Sequence, residues 1–237
     1  MITITNVDTY GWEAAIRGMR NPMNSWDKSD SAFGRNLEIP YAQNNPIIML
    51  DKYGVETYIG DNDLDLMKRL SKAGTDHRKF MRMITVYCDI TAPLYWWKEF
   101  DTYKVGTVAN SCSTMHKIQA KRFEREDFSV EHLSNTLDDP IAGVDMADHH
   151  FMVMMDNIIS CLNVARDRYN ETKDKKYWWQ MIQLLPSSYN QKRTVMMNYE
   201  VLANIYKSRK GHKLDEWHAF CDWIEELPYS ELITGDN

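Results

Sequence analysis

Residues 95–113, "YWWKEFDTYKVGTVANSCS", join an aromatic and charged segment to a run of small polar residues. The first part predicts a helix over residues 94–104, with Trp97 and Phe100 on one face. Residues 105–114 have weak helix propensity and predict a turn or an irregular segment. The stretch therefore has two interpretations: an ordinary loop after a packed helix, or a helix that delivers a chain of polar groups to a ligand.

The composition excludes several kinds of partner. With 237 residues, 43% of them hydrophobic, the chain can build one substantial core, and we expect a single domain over residues 1–237. A net charge of −6 makes duplex nucleic acid an unfavourable partner. No apolar run approaches the roughly 20 residues of a membrane span, and the first residues lack the basic and apolar blocks of a secretory signal. We therefore expect a cytoplasmic protein with no membrane partner.

Hydrophobic periodicity predicts a helix-rich α+β or α/β fold. The predicted strands are an edge strand at residues 1–7, a short buried strand at 44–50 and a strand at 85–93. The predicted helices are residues 11–20, 61–73 with Gly74 as the C-cap, 77–85, 149–170, 175–185, 190–208 and 213–226. Pro, Asn, Ser and Asp residues cluster between positions 21 and 31 and indicate turns.

Cys112 is the candidate nucleophile of the polar run. A nucleophilic thiol needs a base held nearby; His116 lies four residues further on, and His77 is a second candidate. The alternative, which we favour, is that the hydroxyl groups satisfy backbone groups in a turn. None of the four cysteines forms a CxxC pair, which argues against zinc-finger or thioredoxin-type chemistry.

Cationic side chains flank the same run and have two interpretations. They are Lys98, Lys104, Lys117, Lys121 and Arg122. Beside hydroxyl groups, such a set can hold a phosphate through charge-assisted hydrogen bonds. It can equally be a solvated charged face, and the sequence carries neither a Walker A motif nor a G-x-G-x-x-G motif to decide between them.

A second cluster, Asp145, Asp148, His149 and His150, suggests a metal site. Asp145 and His149 are four residues apart, so a helix would place them on one face. The sequence offers no evident third ligand. The acids also fit a helix N-terminus, where negative charge favourably meets the helix dipole. We therefore predict no metal site.

The order of elements between residues 77 and 118 resembles the flavin-dependent thymidylate synthases. That family has a His-bearing helix, a strand that closes on Ala-Pro and an amphipathic helix that ends in Arg-His-Arg-x-x-Ser-x-Asn-x-x-Ser. Here "HRKFMRM", "ITVYCDITAP", "LYWWKEFDTYK" and "VGTVANSCSTM" follow in step without a gap. A later segment agrees with the family's spacing of Leu-Pro, Asn and Arg, at Pro186, Asn198 and Arg209. Together the two segments cover about a third of the chain.

The chain departs from the family at several motif positions. The Arg-His-Arg becomes Thr102-Tyr103-Lys104, and Thr107, Ala109 and Cys112 replace Ser, Asn and Ser of the motif. The Glu-His of the earlier helix becomes Arg82-Met83, and an Arg two residues after Asn198 becomes Glu200. Lys or Thr does not replace the bidentate fork of Arg. We expect Glu200 to repel a phosphate at its position.

The resemblance implies a fold, a cofactor and a site. It implies an α+β, helix-rich, ThyX-like fold with a central antiparallel or mixed sheet, a homotetramer, and FAD as cofactor for reductive one-carbon transfer to the base of a pyrimidine nucleotide, as in dUMP methylation. No catalytic side chain is assigned. The nucleotide-binding residues it implies are Lys104, Thr107, Asn110, Ser111, Cys112 and Ser113. The flavin-binding residues it implies are His77, Tyr103, Asn198 and Arg209.

Two other functions stay open at this point. The chain can be a non-catalytic protein that binds or sequesters a nucleotide or related metabolite on the same fold, because most of the phosphate-binding arginines are replaced. It can also use Cys112 for an unrelated activity in the same pocket. If the chain forms oligomers, Trp96, Trp97, Trp178 and Trp179 are candidates for the interface as well as for the core.

Overall fold

Helices and two sheets make up the structure, a computed structural model that describes residues 1–38, 48–133 and 151–235. The strands are β1 Thr3–Tyr10, β2 Ala32–Gly34, β3 Ile48–Leu50, β4 Glu56–Tyr58, β5 Thr85–Pro93, β6 Val108–Ser111 and β7 Asn190–Asn198. The α-helices are α1 Trp12–Arg20, α2 Asp61–Lys72, α3 Leu94–Phe100, α4 Phe151–Thr172, α5 Lys175–Leu184, α6 Tyr199–Arg209, α7 Asp215–Glu225 and α8 Glu231–Thr234. Short 3-10 helices span Asn21–Met23, Trp26–Lys28, Arg78–Arg82 and Arg125–Asp127.

The larger sheet has four strands in the order β1-β5-β7-β6, and the smaller has three in the order β2-β4-β3. The smaller sheet is antiparallel, and Tyr58 of β4 is paired with Ala32 on one side and Ile48 on the other. Separate helices and sheets of this kind confirm the predicted helix-rich α+β class. The predicted edge position of β1 and the predicted bounds of β5 are also confirmed.

The chain forms two compact units, each built from segments that are distant in sequence. The first unit comprises Met1–Thr3, Thr91–Asp101 and Ser111–Arg193. The second comprises Ile4–Ile90, Thr102–Asn110 and Thr194–Asn237. A single domain over residues 1–237 stays a prediction.

In the first unit, α4 and α5 pack together over an apolar core. Leu162 and Met181 are fully buried there. Asn163, a buried polar residue of α4, accepts a hydrogen bond from the Phe123 N–H and donates one to the Phe123 C=O, both at 2.9 Å. This amide therefore ties the helix to the chain at Phe123 without leaving a buried polar group unsatisfied.

The tryptophans proposed for core or interface differ in their exposure. Trp96 and Trp97 of α3 are both 0% exposed, so they belong to the core. The Trp97 indole N–H donates to the Gln191 C=O at 2.9 Å, and the Arg193 guanidinium lies 4.1 Å from the ring centroid. Trp178 packs against the core of the first unit, whereas Trp179 is 46% exposed. Among these four residues, Trp179 offers the most open surface.

In the second unit, a buried ion pair joins α1 to α2. The Arg20 Nε lies 2.6 Å from Asp63 Oδ1, and neither side chain is exposed by more than 4%. The other carboxylate oxygen accepts hydrogen bonds from the Ser29 and Ser31 hydroxyl groups, both at 2.7 Å. Burial acts to raise the pKa of Asp63, but these hydrogen bonds and the arginine outweigh it, and the pKa is lowered.

Several predicted elements differ in the structure. Residues 190–208, predicted as one helix, form β7 and then α6, because Val195 and Met197 are buried on alternate positions of a strand inside the larger sheet. Part of the predicted irregular segment is the exposed edge strand β6. The predicted buried strand is β3, and its Ile48 and Leu50 are 46% and 68% exposed. Residues 77–85, predicted as α-helix, contain a 3-10 helix instead.

The predicted end of α2 agrees with the structure, and some other predictions concern residues outside the described ranges. The C-cap residue of α2 is Ala73, and Gly74 follows it at a φ of +99°, a left-handed conformation typical of a residue just past a helix end. Asp145, Asp148, His149 and His150 lie outside the described residues, as do residues 44–47 of the predicted strand. Among the described residues, no group of three His, Cys, Asp or Glu side chains is placed to hold a metal ion.

Candidate functional site

The loop between α3 and β6 contacts the end of α6 through Tyr103. The Arg209 Nε donates a hydrogen bond to the Tyr103 hydroxyl at 2.9 Å. The Arg209 guanidinium lies 5.6 Å from the centroid of the Tyr103 ring and 4.7 Å from that of Trp217. Two residues predicted to bind flavin are therefore in direct contact, and an aromatic residue of α7 holds the arginine from another side.

The same loop contacts the start of α6 through Gly106. Gly106 has a φ of +78°, and a Cβ added there would lie 2.7 Å from the Asn198 Nδ2. Asn198 is itself fixed, because its Oδ1 accepts a hydrogen bond from the Val201 N–H at 3.0 Å and caps α6. The loop thus follows α6 from Arg209 at its end to Asn198 at its start, and glycine allows the close approach.

Thr107, the next residue of the loop, has a buried hydroxyl group without a hydrogen-bond partner among the described residues. A buried polar atom that lacks a partner costs about 1–3 kcal/mol, so such atoms are rare in folded proteins. Lys104 and Asn110, in the same unit, are exposed. The loop therefore offers an unsatisfied hydroxyl group, a cation and an amide, a set that fits a polar, anionic ligand such as a nucleotide.

Glu200 is paired with two arginines, which corrects the expectation that it repels a phosphate. Arg82 reaches the carboxylate through Nε and through Nη2, the latter at 3.2 Å. The Arg78 Nε lies 3.3 Å from the same carboxylate and its Nη2 donates to Asn204 at 3.1 Å. The hydrogen bond from Arg82, opposed in part by burial, holds the pKa of Glu200 below its usual value. The cluster has one positive charge in excess, and it joins two positions at which the chain departs from the family motif.

His77, the remaining predicted flavin-binding residue, is exposed and directly precedes the 3-10 helix that carries Arg78 and Arg82. The structure therefore pairs Tyr103 with Arg209, places Asn198 at the same loop, and puts His77 beside the Glu200 cluster. Sequence reasoning missed Trp217, Arg78 and Arg82 as parts of this region. The family motif gave no signal for Trp217 or Arg78 and marked Arg82 only as a replaced position, because each reaches its partner only through the tertiary fold.

Ser111, Cys112 and Ser113 belong to the first unit and are exposed. The Cys112 N–H donates to the Lys192 C=O at 2.9 Å, and the Cys112 C=O accepts from Gln191 Nε2 at 2.7 Å. The Nδ1 of His116, the candidate base, lies 2.8 Å from the Ser113 hydroxyl oxygen. The geometry thus places this histidine on a serine, and that hydroxyl also accepts from the His116 N–H at 3.0 Å, as in an ordinary turn.

Two of the five cations predicted around the run form ion pairs within the first unit. Lys121 lies 2.9 Å from Asp127 and 3.6 Å from Glu124. Arg122 lies 3.7 Å from Asp167. These two cations therefore fit the interpretation of a solvated charged face, whereas Lys104, in the second unit, stays a candidate for a ligand.

The fold is that of the flavin-dependent thymidylate synthases, as the resemblance implied. No family model matches the chain, and no curated protein matches its sequence. Two structures of ThyX from Helicobacter pylori with FAD and dUMP each give a TM-score of 0.62, at 16% and 15% identity. The alignments cover 98% of this chain and 99% of that chain in the first case, and 99% and 98% in the second.

A second kind of enzyme has the same fold. The UMP/dUMP methylase PolB from Streptomyces cacaoi, bound with 5-Br UMP, gives a TM-score of 0.54 at 14% identity, over 99% of this chain and 94% of that one. Sequence identities of 13–16% across the four structures show the fold alone. Within the described parts of the chain, each helix is too short or too polar to cross a membrane.

Proposed function

We propose that this protein binds a pyrimidine nucleotide on its ThyX-like fold. The observation that carries the proposal is the buried hydroxyl group of Thr107, which has no hydrogen-bond partner in the described part of the chain and lies on a loop that also presents Lys104. In the proposal, Thr107 and Asn110 hydrogen-bond the nucleotide and Lys104 faces its phosphate. Ser111, Cys112 and Ser113, which belong to the first unit, stay a prediction. The structures of H. pylori ThyX and S. cacaoi PolB contain nucleotides on the same fold, which supports the choice of ligand.

The proposal includes a flavin, FAD, held by His77, Tyr103, Asn198 and Arg209. When bound and reduced, the flavin would supply hydride, and with a separate one-carbon donor the chain would catalyse reductive one-carbon transfer to the base of the nucleotide. The protein's own contribution is orientation. Tyr103 and Trp217 fix the Arg209 guanidinium at 2.9 Å from a hydroxyl and 4.7 Å from a ring, so its remaining N–H groups have a defined direction. No side chain is assigned a covalent role.

A specific observation favours a second candidate, a non-catalytic protein that binds or sequesters a nucleotide. The Arg209 guanidinium already has an aromatic ring on one side and a hydroxyl at its Nε, and Thr102 and Tyr103 stand where the family motif has Arg and His. The site thus has fewer cations for the phosphates of FAD than the motif implies. This candidate retains the nucleotide site and lacks the flavin.

The absorbance of the purified protein separates the two candidates. If it carries FAD, or gains it on titration, the visible absorbance bands of a bound flavin will accompany it through gel filtration. A protein that stays colourless after incubation with excess FAD contradicts the catalytic candidate and leaves the nucleotide-binding one.

Thermal unfolding with dUMP and UMP tests the nucleotide site itself. A ligand that binds only the native state raises the melting temperature, and the shift grows with the ratio of free ligand concentration to dissociation constant. The substitution Thr107→Val removes the hydroxyl at nearly constant shape, and we expect it to weaken nucleotide binding about tenfold, which corresponds to about 1.4 kcal/mol. The control is Thr75→Val, at an exposed turn position. Equal shifts for all three proteins, or no shift with either nucleotide, would contradict the proposal.

Cys112 carries the third interpretation, an unrelated covalent activity. Because His116 contacts Ser113 rather than a thiol in the structure, we expect Cys112→Ala to retain nucleotide binding and any turnover. Loss of turnover in this variant with unchanged nucleotide affinity would assign the chemistry to the thiol.

A homotetramer also belongs to the proposal. Helix α4 has apolar side chains on its exposed side as well as in the core: Phe151, Val153, Met154 and Val164 are 54%, 45%, 46% and 63% exposed. Exposed apolar clusters are typical of interaction surfaces. Light scattering tests the assembly, and a monomer at all concentrations would contradict it. A cytoplasmic location stays a prediction.

A further inference from the structure

A pocket of about 380 Å³ lies in the second unit, beside the C-terminal turns of α2 and α6. Its charged lining residues are Lys72, Arg78, Lys207 and Lys210, and no acidic residue is among the described residues that line it. The whole chain has 34 acidic and 28 basic residues, so a pocket with only basic charges departs from its surroundings. This concentration of positive charge suggests that the pocket binds an anionic ligand.

The pocket also has apolar, buried lining residues. Ala203, Leu232 and Ile233 line it and are at least nine-tenths buried in the protein. Helices α2, α6, α8 and the 3-10 helix Arg78–Arg82 pack on one another to form it. The basic groups therefore surround a surface on which the apolar part of a small ligand can rest, in a volume typical of small-molecule sites.

Two of the cations have donors to spare. Arg78 uses Nε for Glu200 and Nη2 for Asn204, at 3.3 and 3.1 Å, which fixes the plane of its guanidinium. Its Nη1 has no partner among the described residues. Lys207 is exposed and, within the part of the chain that the structure describes, forms no ion pair. A fixed arginine and a free lysine at one concave surface match the way in which proteins bind phosphate.

Helix dipoles account for only part of this arrangement. Lys72 and Lys207 lie in the last turns of α2 and α6, where positive charge offsets the negative end of the dipole. Arg78 is the first residue of a 3-10 helix, so the dipole argument does not apply to it. The dipole also does not explain why four basic side chains line one pocket with no carboxylate among its described lining residues, although Glu200 and Glu225 pair with Arg78 and Lys210 outside that lining.

The geometry points to a second anion site, in which this pocket binds the phosphate group of a small organic phosphate. Arg78 Nη1 and Lys207 Nζ contact the phosphate oxygens. Lys72 and Lys210 also line the pocket, and the charge of Lys210 is offset in part by Glu225, 3.7 Å from its Nζ. The ligand's apolar part lies on Ala203 and Leu232. The site is separate from the proposed nucleotide site, because neither Lys104, Thr107 nor Arg209 lines it.

Calorimetric titration with pyrophosphate at constant ionic strength tests the site. We expect saturable binding by the wild-type protein, an affinity about tenfold weaker in Lys207→Gln, which corresponds to about 1.4 kcal/mol, and recovery in Lys207→Arg. Lys207 is exposed, so the variants should fold, and their melting temperatures without ligand check this.

Two further variants locate the binding. Lys213→Gln removes another exposed cation of the same unit, and Lys104→Gln removes the cation of the proposed nucleotide site. We expect the Lys207-dependent binding to persist in both. The proposal is overturned if pyrophosphate does not bind saturably, if Lys207→Gln binds like the wild type, or if binding is lost in Lys104→Gln instead.

Discussion

Two carboxylates of the second unit are each paired with arginine. They differ in exposure and in how many hydrogen-bond donors of the arginines remain available. Asp63 is 0% exposed, and its single arginine, Arg20, is 4% exposed. Glu200 is 12% exposed and is shared by Arg78 and Arg82, which are 22% and 50% exposed. One pair is inside the protein, and the other cluster is at its surface.

The hydrogen bonds follow the same division. Asp63 accepts from Arg20, from Ser29 and Ser31, and from the Asp30 backbone at 3.2 Å, so both its oxygens are occupied. Arg20 also donates to the Ser25 C=O at 3.1 Å. The Glu200 cluster has two guanidinium groups for one carboxylate. Removing one partner of a buried pair leaves an uncompensated buried charge, whereas a surface cluster with an excess cation retains donors for a ligand.

The largest expected effect is on the buried pair. The substitution Asp63→Asn removes the negative charge and leaves Arg20 charged and buried. Breaking a buried pair by removing one partner costs about 3–5 kcal/mol. Urea unfolding measures this loss, with Asp65→Asn, at an exposed position of the same helix, as the matched control. If both variants lose the same small amount, the Asp63 network is not the anchor of α1 on α2.

Acid should remove the same stabilisation in the wild-type protein. The folded pKa of Asp63 is lowered, whereas an unfolded Asp titrates near about 3.9. The contribution is therefore full above about pH 4 and is lost as the pH falls through the lower, folded value. We expect the difference in unfolding free energy between wild type and Asp63→Asn to be constant near neutral pH and to shrink below about pH 4. If the difference already shrinks between pH 7 and 5, the pH-dependent stabilisation comes from a group other than Asp63.

Local sequence patterns predicted the elements whose structure is determined by residues close in sequence. Strand β5 alternates and ends at Pro93, and α2 has regular apolar spacing followed by Gly74, so both were predicted closely. Strand β7 was predicted as helix because its apolar residues run on into α6 at a similar spacing. Its burial comes from a position inside the larger sheet, and buried Gln191 is satisfied by the Cys112 C=O, 79 residues away. No local pattern contains that information.

The candidate site was predictable to a similar extent. The resemblance to a family motif picked out Tyr103 and Arg209, and the structure places them in contact. The motif also suggested that Glu200 opposes an anion. That expectation considered one residue alone, and its partner Arg82 is 118 residues away in sequence. The net charge of a cluster depends on contacts of this kind, which spacing along the chain does not reveal.

The surface cluster should contribute less to stability than the buried pair. Glu200→Gln leaves Arg78 and Arg82 partly solvated, so we expect it to lower the unfolding free energy by about 1–2 kcal/mol. Glu226→Gln, at an exposed position of the same unit, is the control. A loss as large as that of Asp63→Asn would mean that Glu200 is chiefly a structural residue, and the distinction between the two carboxylates would fail.

The smallest expected effect is a difference in how the two ion pairs respond to salt. Raising the ionic strength from about 0.1 M to about 1 M shortens the Debye length from about 10 Å to about 3 Å, which weakens exposed pairs far more than buried ones. In a double-mutant cycle, the coupling between Glu200 and Arg82 should fall as salt is added, because Arg82 is half exposed. The coupling between Asp63 and Arg20 should change little, because water and ions do not reach it. Equal salt responses in the two cycles would show that Glu200 is as isolated from solvent as Asp63, and its arginines would then be unsuited to an incoming anion.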